Sequence, residues 1–192
     1  DVDGTVTRDQ LVTILYRVAG NPGVKDLANP FADVKGSTWY TDAVIWAANN
    51  GVVKGISDTL FAPEMTVTRE QIVTILYRFG RAEKDETDHL KAFTDAGTIS
   101  DYAVDAMNWA VGEGLINGVS TTTLAPQGAA TRAQISAKEG GYYSFVFRIQ
   151  SIFGSRYLAT DSRSWASESF SPWLKKVPPP LPVLLHKSVS AF

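Results

Sequence analysis

The chain has 192 residues, with 18 Lys and Arg against 20 Asp and Glu, and two histidines. A formal charge of −2 excludes a polyanion binder held by bulk charge. The absence of cysteine excludes disulfide frameworks, cysteine zinc sites and thiol catalysis. His89 and His186 are too few for a histidine metal cluster, and no apolar run reaches the ~18 residues of a membrane span.

The chain opens with Asp1-Val2-Asp3-Gly4-Thr5-Val6-Thr7, which has the look of the middle of a calcium loop. Its closing ligand would be Gln10, a poor substitute for a bidentate glutamate, and its first ligand would precede Asp1. A calcium site is therefore not expected. Val6–Arg17 then reads VTRDQLVTILYR. Thr7 to Gln10 has the form of a capping box, so a helix begins here. Phe31-Ala32-Asp33 follows, then a loop holding Trp39-Tyr40. Ala43, Val44, Ala47 and Ala48 put an apolar stripe on one face of a helix over Thr41–Asn50, stopped by Gly51 at its C′ position. Between Val52 and Pro63 there is room for a turn, at Gly55 and Ser57-Asp58, and an extended piece in which Leu60-Phe61 plugs the core.

Val67–Arg78, VTREQIVTILYR, matches Val6–Arg17 at ten of twelve positions, 61 residues on. Thr68 to Gln71 is a second capping box. Ile72, Val73, Ile75, Leu76 and Phe79 make the buried face of its helix. The charged linker Gly80–Lys91 reads as exposed, with His89 solvated. Phe93-Thr94-Asp95 repeats the earlier F-x-D. Tyr102–Glu113, stopped by Gly114, repeats the first helix. Trp46, Gly55 and Pro63 recur as Trp109, Gly118 and Pro126 at a constant offset of 63. A third box starts at Thr131 as TRAQI.

The unit is thus F-x-D, a loop, W-A-x-x-x-G, a second glycine, A-P, then T-R-x-Q and an apolar helix. Such a helix pair is too small to bury its face alone and depends on its neighbours. The partition is residues 1–30, the end of a first unit with its linker; 31–92, a complete unit with its linker; 93–137, a third unit cut short; and 138–192, an atypical tail. After Ile135 the apolar pattern fails and Gly140-Gly141 interrupts the helix. Residues 1–137 carry a net charge of −6 and residues 138–192 a net of +4. Threonine falls from 16 to one across that boundary, while serine rises from five to ten. A single switch of this kind is expected from a shifted reading frame, the other reading being an authentic C-terminal extension, and the tail is expected to pack poorly.

Phe31-Ala32-Asp33, Trp39-Tyr40, Trp46 to Gly51, Gly55, Phe61-Ala62-Pro63 and Thr68 to Gln71 together resemble the S-layer homology repeat of bacterial surface proteins. The resemblance covers about residues 1–137. It implies a mainly α fold: helix-pair repeats in a pseudo-threefold module, here with an irregular C-terminal tail. It also implies non-covalent anchoring of an exported protein to the cell wall. The partner would be a secondary cell-wall polymer on peptidoglycan, often pyruvylated. The location would be extracellular, at the cell wall or S-layer, with a cargo domain upstream of Asp1. No signal peptide begins the chain, as expected of a fragment that starts inside a repeat.

Arg8, Arg69 and Arg132 are the principal binding candidates. Each stands in the first turn of a helix, where N–H groups left open by the helix favour an anion and a guanidinium adds a planar fork. The other reading ties each arginine to the neighbouring unit. Asp33 and Asp95 bond sugar hydroxyls, orient the arginine, or cap a turn. Trp39 and the matching Tyr102 are stacking surfaces for a sugar ring or partly buried core. Gly55 and Gly118 let a ligand approach the backbone or permit a positive φ. Lys54 and Asn117 precede them. Trp46 and Trp109 belong to the core. No G-x-S-x-G, H-E-x-x-H or Walker loop is present, so no enzyme, metal or cofactor is expected, and no nucleic acid partner. The alternative is a structural or protein-interaction repeat without glycan binding.

Overall fold

Four helices organise the part of the chain that the structure, a computed structural model, describes: residues 4–131. They are α1 (Arg8–Val18), α2 (Thr41–Asn49), α3 (Arg69–Gly80) and α4 (Val104–Gly112). α1 and α3 begin at their capping boxes. Gln10 accepts the Thr7 N–H, Gln71 accepts the Thr68 N–H at 3.2 Å, and Thr68 Oγ1 accepts the Gln71 N–H at 3.3 Å. α2 and α4 end as their glycines require. Gly51 and Gly114 lie at φ 68° and 61°, and the Val52 and Leu115 N–H groups reach back to Ala47 and Ala110. One boundary differs from expectation: Tyr102 precedes α4, in a short 3₁₀ turn over Asp101–Ala103.

The close helix pairs form across unit boundaries. α1 packs on α2, and α3 on α4. Tyr16 meets Trp46 with ring centroids 5.7 Å apart, and the equivalent Tyr77 meets Trp109 at 5.5 Å. Each sequence unit therefore donates its second helix to the next unit's first. α2 and α3 of one unit touch through Trp46 and Phe79, at 6.2 Å. The core holds Leu11, Val12, Leu15, Val44, Ala47, Val67, Phe79, Met107 and Leu124. Phe61 is also fully buried, whereas Leu60 faces out. Apolar area buried in this way stabilises by about 25 cal/mol per Å².

A closed ring of main-chain bonds joins three equivalent positions, the residues just before each T-R-x-Q box. The Val6 N–H donates to the Ala130 carbonyl (3.1 Å), the Ala130 N–H to Val67 (3.0 Å), and the Val67 N–H to Val6 (3.0 Å). All three residues are buried. Isolated bridges flank the ring, pairing Thr5 with Thr131, Thr7 with Thr66 and Thr68 with Ala129. No β-strand forms among the described residues.

The linker is less open than its charge suggests. His89 Nε2 lies 2.9 Å from Asp85, and the His89 N–H donates to Asn108 of α4 at 2.8 Å. The Asn108 amide in turn donates to the carbonyls of Asp85 and Thr87. His89 is a partnered, partly buried group, because the chain must be tied down as it turns towards α4. The third T-R-x-Q helix, Arg132, the calcium-like aspartates Asp1 and Asp3, and the tail lie outside the described residues.

Candidate functional site

The T-R-x-Q boxes and the F-x-D motifs meet on one structure, the A-P turn of the following unit. The capping boxes at Thr7 and Thr68 fix Arg8 and Arg69 in the first turns of α1 and α3, from which their side chains cross to the next unit. Arg8 Nε donates to the Phe61 carbonyl at 2.7 Å and its Nη2 to the Lys54 carbonyl at 2.7 Å. Arg69 Nε donates to Leu124 at 2.8 Å and its Nη2 to Asn117 at 2.5 Å. Both arginines are 5% exposed. Arg8 also sits over the Phe61 ring, 4.5 Å from its centroid. Burial pushes both guanidinium pKa values down, opposed by the charges of Asp33 and Asp95.

The aspartates grip the same turns from the other side. Asp33 accepts the N–H groups of Phe61 (2.8 Å) and Ala62 (2.7 Å). Asp95 accepts those of Leu124 (2.9 Å) and Ala125 (2.8 Å). The Leu124 N–H, with smaller help from Ala125 and Arg69, holds the Asp95 carboxyl below its usual pKa. The gripped alanines are strained: Ala62 and Ala125 lie at φ 56° and 50°, a region that costs a non-glycine residue about 1–2 kcal/mol. Arginine and aspartate together over-determine a turn that would otherwise relax.

The open helix start expected at Arg8 and at Arg69 is filled by protein. The Arg8 and Asp9 N–H groups donate to the carbonyls of Met65 and Pro63 (both 3.0 Å), and those of Arg69 and Glu70 to Gly128 (2.9 Å) and Pro126 (3.0 Å). Gly55 and Gly118 have a different reason from either one read in the sequence. Neither has a positive φ. A Cβ on Gly55 would lie 2.1 Å from the Ser57 carbonyl oxygen, and one on Gly118 would lie 2.1 Å from that of Ser120. The chain's own turn closes on them.

The remaining candidates face solvent. Trp39 is 61% exposed, its ring edge-on to Tyr40 at 5.2 Å. Lys54 and Asn117 are exposed, their carbonyls on the arginines. Tyr102 is 53% exposed, but its hydroxyl is held by Glu70 at 2.9 Å. Burial, then that bond, push the Tyr102 pKa up to about 12. Glu70 was not singled out in the sequence. It is buried, and it also accepts the Ser100 N–H (3.0 Å) and hydroxyl (2.8 Å). The equivalent Asp9, one methylene shorter, turns back to its own Thr7 hydroxyl and the Gln10 N–H. The signal lay in that Asp-to-Glu difference between otherwise matching boxes. Trp46 and Trp109 are core, as read from the sequence.

Among the described residues no helix is long and apolar enough to cross a membrane. Comparison with known proteins matches the S-layer homology domain to residues 30–73 and 92–135. Over 138 residues the chain is 31% identical to exoglucanase XynX of Acetivibrio thermocellus, covering 69% of this chain and 12% of that protein. It is 32% identical over 131 residues to the surface-layer 125 kDa protein of Lysinibacillus sphaericus, covering 67% and 11%. It is 25% identical over 140 residues to a cellulosome-anchoring protein of Acetivibrio thermocellus, covering 69% and 30%. The chain therefore spans only a small part of the relatives it matches.

Proposed function

The chain belongs to the S-layer homology family, and from that premise we propose that it fastens a larger protein to a bacterial cell wall by binding a secondary cell-wall polysaccharide without a covalent bond. Repeats of this family are non-catalytic anchoring modules of the cell surface, carried by enzymes as added domains. The observation that carries the reading is the family match at two consecutive units, on a chain whose relatives include a surface-layer and a cellulosome-anchoring protein.

In this proposal the units 31–92 and 93–137, with the end of a unit before them, close into a pseudo-threefold module. The ring through Val6, Val67 and Ala130 supports it, because three equivalent residues bond head to tail in one direction. The polymer contacts are Trp39 and Tyr102, as sugar-stacking faces, with Lys54 and Asn117 beside the second glycines. Lys54 is an exposed cation suited to an acidic group such as a pyruvate ketal. Arg8 and Arg69 act with Asp33 and Asp95 to fix the loops of Gly55 and Gly118 that present those groups. Co-sedimentation with wall sacculi tests the assignment. Trp39→Ala and Lys54→Ala should each weaken retention at least fivefold with unchanged helical content; full retention by both would remove these residues from the site.

A further inference from the structure

The chain holds two Asn-Gly dipeptides, Asn50-Gly51 at the end of α2 and Asn117-Gly118 in the loop that Arg69 holds. An asparagine before glycine is prone to lose its side-chain amide, because glycine has no side chain to keep its own main-chain nitrogen from the asparagine Cγ. We propose that Asn117-Gly118 is a site of spontaneous deamidation, assisted by Arg69, whereas the fold protects Asn50-Gly51.

Both asparagines are exposed, so access to water does not separate them. Hydrogen bonding does. Asn50 Nδ2 donates to the Trp46 carbonyl at 2.8 Å, and the Gly51 N–H donates to that of Ala48 at 3.1 Å. The leaving group and the attacking nitrogen are thus both held at the helix end. The Asn117 side chain and the Gly118 N–H have no hydrogen-bond partner among the described residues.

Arg69 adds a second difference. Its Nη2 donates at 2.5 Å to the Asn117 main-chain carbonyl, the oxygen of the same peptide group whose nitrogen must attack. When that nitrogen loses its proton, negative charge spreads on to this oxygen, and a guanidinium already bonded there stabilises it. Among the described residues no arginine or lysine donates to the Asn50 carbonyl. Nor can the fold dispense with Gly118. A Cβ there would lie 2.1 Å from the Ser120 carbonyl oxygen and 2.7 Å from that of Thr123. Packing imposes the glycine, and the asparagine before it makes the pair reactive. The equivalent pair in the preceding unit is Lys54-Gly55, which has no amide to lose.

Water is the only co-reactant. The Gly118 nitrogen gives its proton to solvent and bonds to Asn117 Cγ. The Cγ–Nδ2 bond breaks, and the amide leaves as ammonia with a proton taken from solvent. Water then opens the succinimide at either carbonyl, leaving aspartate or isoaspartate. Both add a negative charge. Isoaspartate also lengthens the main chain by one methylene just before Gly118, in a turn too tight for a Cβ. It therefore loosens the grip of Arg69 on this loop and leaves that of Arg8 on Lys54 intact.

Ageing the full chain at mildly alkaline pH, with the products located by fragmentation mass spectrometry, tests this. Asn117 should convert about tenfold faster than Asn50, a ratio that corresponds to about 1.4 kcal/mol of barrier. In urea, where the folded contacts are gone, the two rates should converge. Lys54→Asn should create a second site that reacts at a rate similar to Asn117. There the Gly55 N–H has no partner among the described residues, and Arg8 Nη2 holds the residue-54 carbonyl at 2.7 Å. Equal rates at Asn117 and Asn50 in the folded chain, a ratio that survives in urea, or an inert Lys54→Asn overturns the proposal. The aged parent should also gain a population with a lower urea midpoint, absent from aged Asn117→Gln, whose longer side chain closes the ring far more slowly. A converted chain with the parent's midpoint overturns the loss of grip. These readouts do not involve the wall, so this assignment and the polymer contacts fail separately.

Discussion

Replacing Arg69 by alanine removes the donors for two main-chain carbonyls, those of Leu124 at 2.8 Å and Asn117 at 2.5 Å. Each bond from a charged donor contributes about 1.5–3 kcal/mol. The loss is reduced by the desolvation of a guanidinium that the fold no longer has to bury, the same burial that lowers its pKa. The net cost is about 3 kcal/mol. Urea unfolding followed by the 222 nm helical signal reads it: at a slope of about 1–2 kcal/mol per molar, the midpoint falls by roughly 1.5–3 M. Arg69→Lys recovers only part of this, because one ammonium cannot reproduce a planar fork reaching two carbonyls. Arg8→Ala, which breaks the equivalent pair of bonds, should cost a similar amount. A midpoint for Arg69→Ala within 0.3 M of the parent would refute the clamp and return the arginine to direct ligand contact.

Ala62→Gly should stabilise by roughly 0.5–1 kcal/mol, since glycine accepts the φ of 56° without the Cβ clash; a destabilised variant in the same urea assay would show that the turn is not strained. The Asp95 carboxyl has a folded pKa below its unfolded value of 3.8, so the stability it contributes is complete above that pH and disappears as pH falls through the folded pKa. An acid-unfolding curve that is shallower between about pH 4 and 2 in Asp95→Asn than in the parent is the expected result, and identical slopes would contradict it. Tyr102→Phe should remove the ultraviolet titration step near pH 12 and cost about 1 kcal/mol through loss of the bond to Glu70; a step that survives the substitution assigns it to another tyrosine.

Much of the fold was written in the chain's own periodicity. The 61-residue offset, the capping boxes at Thr7 and Thr68, and the stops at Gly51 and Gly114 all signal through residue type and spacing, and the helices start and end there. The site was harder to read. Arg8 and Arg69 stand out in sequence, but their partners are main-chain carbonyls 46–55 residues away, which no side chain marks. An arginine at a helix start therefore resembles an anion site whether its fork meets a ligand or a peptide group. Gly55 carries the same ambiguity, since a glycine closed upon by its own turn has the same letter as one approached by a ligand. Pairing of helices across units was equally hidden, because adjacency in sequence suggested the pair within a unit.

Wall anchoring is tested most directly by retention on purified sacculi before and after the secondary polymer is stripped chemically from the peptidoglycan. Strong binding of the full chain to intact sacculi, lost on stripping and restored by adding the released polymer to a competition assay as an inhibitor, is the expected result. Equal retention on intact and stripped walls, or none on either, would contradict polymer-mediated anchoring.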